Sequence, residues 1–438
     1  MRHKAAGAYP EGRLEETVFR HLNGEGGGIG SIGPACLSRI ALIGNSLPRR
    51  CGLATYTTHV FDALQERFPA LVVELHAMND PGMTYDYPPG VTTAIRQDQL
   101  NDYLRAAEKI ERNGAELVWV QHEFGIFGGP SGIYLLALLE RLSIPVAITL
   151  HSVVDQPDVE QRAVMDRLIR VADRLIVMAE KGRSILKLIY DVTDSKISVI
   201  PPGVPDRPFT ISGQVKPDFR LAGRKVLLTF GLLSPNKGIE TMIGAMPEIL
   251  AANPDAIYVV AGATHPHLVA HEGERYREGL QALAERLGVS AHVRWVDQFL
   301  DQETLLDLIT AADVYVTPYR NLNQITSGAL AYAVALGKPV ISTSYHHAAE
   351  IIGADNGLLV GVGDVDGFAT AVKALLGDAP MRERMAQNAY ALGRSMIWRR
   401  NVEAAMAEFV ACAPRSKARQ RLASGSRETL RESAALTS

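Results

Sequence analysis

From Ser38 onward, short apolar runs alternate with longer stretches in which apolar positions recur every three or four residues. The runs predict strands over Arg39–Ile43, Leu71–His76, Leu117–Gln121, Val146–Leu150, Leu175–Val177 and Ile197–Ile200. The stretches between them predict helices, among them Thr57–Glu66, Tyr134–Leu142 and Gln161–Val171. Pro201-Pro202-Gly203-Val204-Pro205 breaks the pattern and reads as a linker. A second series follows, with strands over Val226–Phe230, Ile257–Ala261, Val293–Val296, Val314–Thr317, Val340–Ser342 and Gly357–Val360. Its helices are expected over Ile239–Ala251, Arg275–Leu287, Glu303–Ala311, Gly328–Leu336, Gly367–Leu376 and Met381–Gly393. Strands that alternate with helices of this length form parallel sheets. The fold class expected is therefore α/β, with two Rossmann-like domains facing a cleft.

The two domains are read as 38–205 and 206–395. An amphipathic helix over Trp398–Val410, within a segment 396–412, is expected to pack against a domain. Residues 1–37 are polar and Gly-rich and read as a loose leader, and 413–438 as a disordered basic tail. That tail carries Arg415, Lys417, Arg419, Arg421, Arg427 and Arg431 against Glu428 and Glu432, and the alternative to a solvated tail is a weak anchor for anionic lipid or another polyanion.

A chain of 438 residues has room for two cores. A net charge of −3 gives no electrostatic case for nucleic-acid binding. Cys36, Cys51 and Cys412 are too few and too scattered for a disulfide framework or a zinc site and fit a reducing compartment. No run of 18 apolar residues and no apolar signal core occurs, so the protein is expected in the cytoplasm.

Chemistry-bearing residues collect at expected strand ends, where open α/β sheets bind ligands. Gly52, after the first strand, either lets a ligand approach a helix amino end or marks an ordinary tight turn. Gln121 to Gly129 gathers His122, Glu123, Phe124 and Gly125 in a glycine-rich loop suited to an acceptor, with a satisfied core histidine as the alternative for His122. His151 stands at the end of strand Val146–Leu150. In Phe230-Gly231-Leu232-Leu233-Ser234-Pro235-Asn236-Lys237-Gly238, Lys237 near a helix amino end can neutralise phosphate oxygens. His265 is a loop ligand or a cap, and Arg320, with Ser327 and Gly328 at a helix start, can hold phosphate. Thr326 or Ser327 caps that helix, which Gly337 ends. His346 and His347 are adjacent on an expected loop, where two histidines rarely face one ion, so no metal site is read there.

The order His151, Pro202-Gly203-Val204-x-Asp206, Lys237-Gly238 and Gly337-Lys338-Pro339-Val340 resembles the retaining GT-B glycosyltransferases of family four over roughly residues 38–411. The resemblance implies a donor cleft between the domains, a nucleotide-diphosphate sugar as co-substrate, and a saccharide, small-molecule or lipid-linked acceptor. It implies no metal or other cofactor, and peripheral contact with a membrane is compatible with it. It also implies that His151 touches the donor sugar and that Lys237 meets the donor diphosphate. The chain departs from the family pattern at four places. Of the double glycine usual after the first strand only Gly52 remains. The family's Gly-Arg pair has Leu232 for arginine. The two glutamates of its Glu-x7-Glu motif fall on Gln324 and Tyr332. Gln324 can still bond sugar hydroxyls, whereas Tyr332 cannot make a carboxylate's paired contact to a ribose diol. Three functions follow: a hexosyltransferase, a phosphorylase-like transferase using phosphate or a sugar phosphate, and a non-catalytic carbohydrate-binding protein.

Overall fold

The computed structural model describes residues 37–412, so the expected basic tail and all but the last residue of the leader lie outside the described residues. Two all-parallel sheets carry the fold. The first contains β1 (Arg39–Gly44), β2 (Val72–Asn79), β3 (Val91–Arg96), β4 (Leu117–His122), β5 (Val146–Leu150), β6 (Arg174–Val177) and β7 (Ile197–Val199). Its order is β3-β2-β1-β4-β5-β6-β7. The second contains β8 (Lys225–Phe230), β9 (Ala256–Ala261), β10 (Val293–Val296), β11 (Val314–Thr317), β12 (Val340–Thr343) and β13 (Gly357–Val360). Its order is β10-β9-β8-β11-β12-β13. The expected pair of parallel α/β domains is what the chain forms.

Each sheet is buried on both faces, as parallel sheets require. On the first, Ile43, Val120 and Ile148 point into one core and Leu42, Trp119 and Ala147 into another. The second repeats this with Leu228, Val259 and Tyr315 against Leu227, Tyr258 and Val314. The helix at 398–412 returns to the first sheet, where Val402, Ala405 and Phe409 complete the core around Trp119.

Several details differ from expectation, among them a helix over Pro266–Glu272 that no expected element covers. Strand β3 was not foreseen because it is an edge strand in which only Ile95 is buried, leaving no apolar run to read. The first helix runs over Gly52–Arg67 and starts earlier than expected, because the Cys51 sulfur takes the capping role and accepts from Ala54 N–H. His346 and His347 lie not on a loop but in the first turn of a short helix, His346–Ile351.

The sheets reverse their strand order between β1 and β4 and between β8 and β11. Ligands of open α/β sheets sit beyond the carboxyl ends at such switch points. The Gly52 turn follows β1 and Gln121–His122 ends β4, while Gly231 follows β8 and Arg320–Gln324 follows β11. The fold thus delivers four separate loops to its two switch points, and side chains bridge between them. The Tyr332 hydroxyl lies 3.3 Å from His59 Nδ1. Ile325, from the loop after β11, is buried in the first lobe's core. Glu350 accepts from the backbone N–H of Glu180 at 2.8 Å, capping the helix Glu180–Tyr190, whose own N-cap residue, Ala179, offers no side-chain bond.

Candidate active site

On the first lobe, β4 and β5 end side by side, and His151 N–H donates to the His122 carbonyl at 3.0 Å. The His151 ring lies edge-on to Tyr56 at 4.8 Å, and its Nε2 meets Gln121 Oε1 at 2.9 Å. Burial, followed by the charge of a protonated His122, pushes its pKa down to about 3. His151 is therefore neutral at pH 7 and works by hydrogen bonding, not by charge. Gln121 had no role in the sequence reading, although it lies in the same motif.

His122 is wholly enclosed, stacked on Phe127 and edge-on to Phe124, and burial takes its pKa to about 3. This corrects the expectation that His122 faces an acceptor: the strand's alternation turns it into the core beneath the loop. Glu123 is half-buried; it accepts from Ser152 Oγ at 2.6 Å and from Phe124 N–H at 3.1 Å, and burial raises its pKa. Gly125 is exposed on the same loop, held by Gln97 Nε2 at 3.0 Å.

On the second lobe, Gly231 adopts φ +128°, a conformation that disfavours any side chain. A Cβ on neighbouring Gly262 would lie 2.1 Å from the Gly231 carbonyl oxygen, so the ends of β8 and β9 approach more closely than side chains allow. Lys237 leans into this turn with its Nζ 4.0 Å above the Tyr319 ring, which is stacked on Tyr345. Ser327 caps the helix Gly328–Ala335, its Oγ accepting from Leu330 N–H at 3.3 Å. Its own N–H donates to His347 Nδ1 at 2.9 Å, a support that sequence spacing does not reveal. Gln324 is half-buried and donates to the Thr326 carbonyl at 2.9 Å.

Between the lobes lies a cavity of about 240 Å³. Of the expected residues, Gly52, Gly231, Gly328 and Tyr332 line it. His151, Lys237, Gln324 and Ser327, the 122–125 loop, and the exposed Arg320 and His265 lie outside its lining, though Lys237 adjoins Gly231 and Arg320 N–H bonds the Asn236 carbonyl beside Lys237. Leu232, the residue at the family's arginine position, faces the cavity directly. The remaining wall includes Tyr56 and Phe230, which carry no expected role, and the Gln298–Leu300 loop after β10. Tyr56 itself packs at 5.0 Å on Trp398, and no spacing rule links these two residues.

Residues 51–207 match the family described as Glycosyltransferase Family 4, and residues 215–392 match Glycosyl transferases group 1. The chain is 29% identical over 269 residues to D-inositol 3-phosphate glycosyltransferase 2 of Catenulispora acidiphila, a match covering 56% of this chain and 59% of that protein. It is 27% identical over 335 residues to the D-inositol 3-phosphate glycosyltransferase of Nocardiopsis dassonvillei, covering 72% and 74%. Among solved structures it resembles sucrose-phosphate synthase from Thermosynechococcus elongatus, with a TM-score of 0.65, 20% identity, and 88% of this chain and 100% of that chain covered. It also resembles Anabaena Alr3699/HepE in complex with UDP, with a TM-score of 0.66, 14% identity, and 84% and 100% covered. With two sheets joined at a cleft and the two family matches falling one on each lobe, the chain belongs to the GT-B glycosyltransferases of family four.

Proposed function

We propose that the protein is a retaining, metal-independent hexosyltransferase that moves a sugar from a nucleoside diphosphate to the hydroxyl of a saccharide, lipid-linked or small-molecule acceptor. The observation that carries this reading is the placement of Lys237 beside the side-chain-free Gly231 turn, at the edge of a cavity that reaches across to the first lobe. A diphosphate in that turn would meet a fixed cation and the backbone N–H groups of a strand-to-helix turn. Charge that develops as the sugar leaves would be stabilised there by groups already held in place.

Among the described residues lining the cavity there is no Asp or Glu. A front-face route needs no such carboxylate. In it the acceptor oxygen bonds to the anomeric carbon on the face from which the phosphate departs. The carbon–phosphate-oxygen bond breaks, and the acceptor's proton passes to the departing phosphate oxygen. Configuration is retained, and no other base is required. Neutral His151, fixed by Gln121, would orient sugar hydroxyls, and Gln324 would add an uncharged contact.

The same lack of a carboxylate supports a second reading, in which phosphate or a sugar phosphate replaces the nucleotide. A thermal-shift panel with UDP, GDP, ADP and inorganic phosphate separates the two, since a ligand that binds only the folded protein raises its melting temperature. Stabilisation by a nucleoside diphosphate, lost in Lys237→Ala, is the expected result. Stabilisation by phosphate alone would replace the hexosyltransferase reading with the phosphorylase one. With a donor identified, the anomeric proton coupling of the product tests retention, and turnover in excess chelator tests metal independence.

A further inference from the structure

The chain passes between the lobes twice among the described residues, and the two passages lie side by side. Val204 N–H donates to the Met396 carbonyl and Trp398 N–H to the Val204 carbonyl, each at 2.9 Å. A paired connection of this kind is a hinge, since a few changes in φ and ψ there turn one lobe against the other. Away from it, Tyr332 reaches to His59, Ile325 enters the first lobe's core, and Glu350 meets the start of the helix Glu180–Tyr190.

The Glu350 contact stands where a local cap is missing. Ala179 has the extended backbone of an N-cap residue, φ −152° and ψ 151°, but no side-chain acceptor. Gly182 and Arg183 N–H turn back to the Ala179 carbonyl. The N–H groups of Glu180 and Lys181 come too early in the helix for an acceptor within it. Glu350 Oε1 takes the first at 2.8 Å and Oε2 the second at 3.4 Å. The Glu180 side chain opposes this contact by like charge, so the attraction comes from the two N–H groups and the helix amino end. His346, one turn earlier on the Glu350 helix, has Lys181 and Asp155 of the first lobe as its charged neighbours. We propose that Glu350 is a closing latch: opening about the hinge at Val204 and Trp398 strips the cap from the first-lobe helix, and closing restores it. The latch depends on alanine at 179, because a hydroxyl there would cap the helix within its own lobe and remove the gain from closing.

Small-angle X-ray scattering of the full, ligand-free chain tests this, with each profile fitted as a mixture of this structure and one opened about the hinge. Glu350 is exposed, and a carboxylate at an exposed helix start shifts an equilibrium by about threefold. Glu350→Ala is therefore expected to move the mixture about threefold toward the open form and to lower the melting temperature. Ala179→Ser in that background is expected to restore the melting temperature while the lobes stay open. A cap that serves the helix alone predicts the reverse, with the closed profile unchanged in both variants. A Glu350→Ala profile that matches the parent's overturns the inference, as does a double variant that recovers the closed profile. No ligand is added, so either result leaves the nucleotide-sugar reading to its own thermal-shift test.

Discussion

Tyr319 gives a direct test of how Lys237 is held. Its ring lies 4.0 Å below the Lys237 ammonium and is stacked on Tyr345 at 5.1 Å. Its residue exposure is 1%, so the ring is a fixed platform. A cation over a tyrosine face contributes about 0.5–1 kcal/mol when exposed and about 2 when desolvated. For a half-buried lysine, about 1 kcal/mol is reasonable, which is about fivefold in any affinity that needs the ammonium in place. The Tyr319 hydroxyl, by contrast, is enclosed near Tyr315 without meeting hydrogen-bond geometry. Removing it relieves an unpartnered polar group, a change worth zero to about 1 kcal/mol in favour of folding. Tyr319→Phe is thus expected to be at least as stable as the parent in urea and to bind its nucleoside diphosphate within about twofold of it. Tyr319→Leu is expected to lose stability through the smaller side chain and to bind about fivefold more weakly. If calorimetry finds the Phe and Leu variants equally weakened, the ring face is not what positions Lys237, and the reasoning fails.

Three further outcomes follow from the same geometry. Asp313 accepts from Lys216 Nζ, Ser212 Oγ and Val226 N–H, each at 2.7 Å, in a site where both charged side chains are nearly buried; Asp313→Ala should cost about 3–5 kcal/mol in urea unfolding by stranding the lysine. A Cβ at Gly203 would lie 2.0 Å from the Trp398 ring, so Gly203→Ala should lower the melting temperature and displace Trp398, visible in its fluorescence; an unchanged melting temperature would argue against that close contact. Burial holds His76 and His347 near pKa 4 and His122 and His151 near 3, all below the unfolded value. Their contribution is complete above about pH 6.5 and fades as pH falls toward 3, because the unfolded chain then binds more protons; each adds up to about 1.4 kcal/mol per pH unit, and urea midpoints that stay flat between pH 6.5 and 4.5 would contradict it.

Much of the fold was legible because parallel strands buried on both faces must be continuous apolar runs, and twelve of them stood out between helical stretches. What stayed hidden lacked that signal: β3 has one buried side chain, and the Gly52 helix is capped by a sulfur that sequence rules do not favour. The site was legible where backbone shape dictates residue type, as at Gly231 and at the Ser327 cap. It was illegible where side-chain direction decides. His122 and Gln121 are neighbours on one strand and point to opposite faces, so one sinks beneath Phe124 while the other holds His151. The pairing of Tyr56 with Trp398 arises only once residues 398–412 fold back, which no local pattern encodes.

That returning helix also sets a schedule. The first sheet is translated long before the residues that finish its core: Asn401 bonds the Pro201 carbonyl across 200 positions, and Glu403 pairs with Arg67 across 336. During synthesis the face bearing Trp119 therefore waits, covered only in part by the helix Gly52–Arg67, while the whole second lobe is made. The second lobe, whose strands and helices are contiguous in sequence, can form its cores without help from distant segments. The lobe that emerges first from the ribosome is thus the last to be sealed. Chains interrupted before residue 398 should present an apolar surface to chaperones and proteases even with both sheets fully translated.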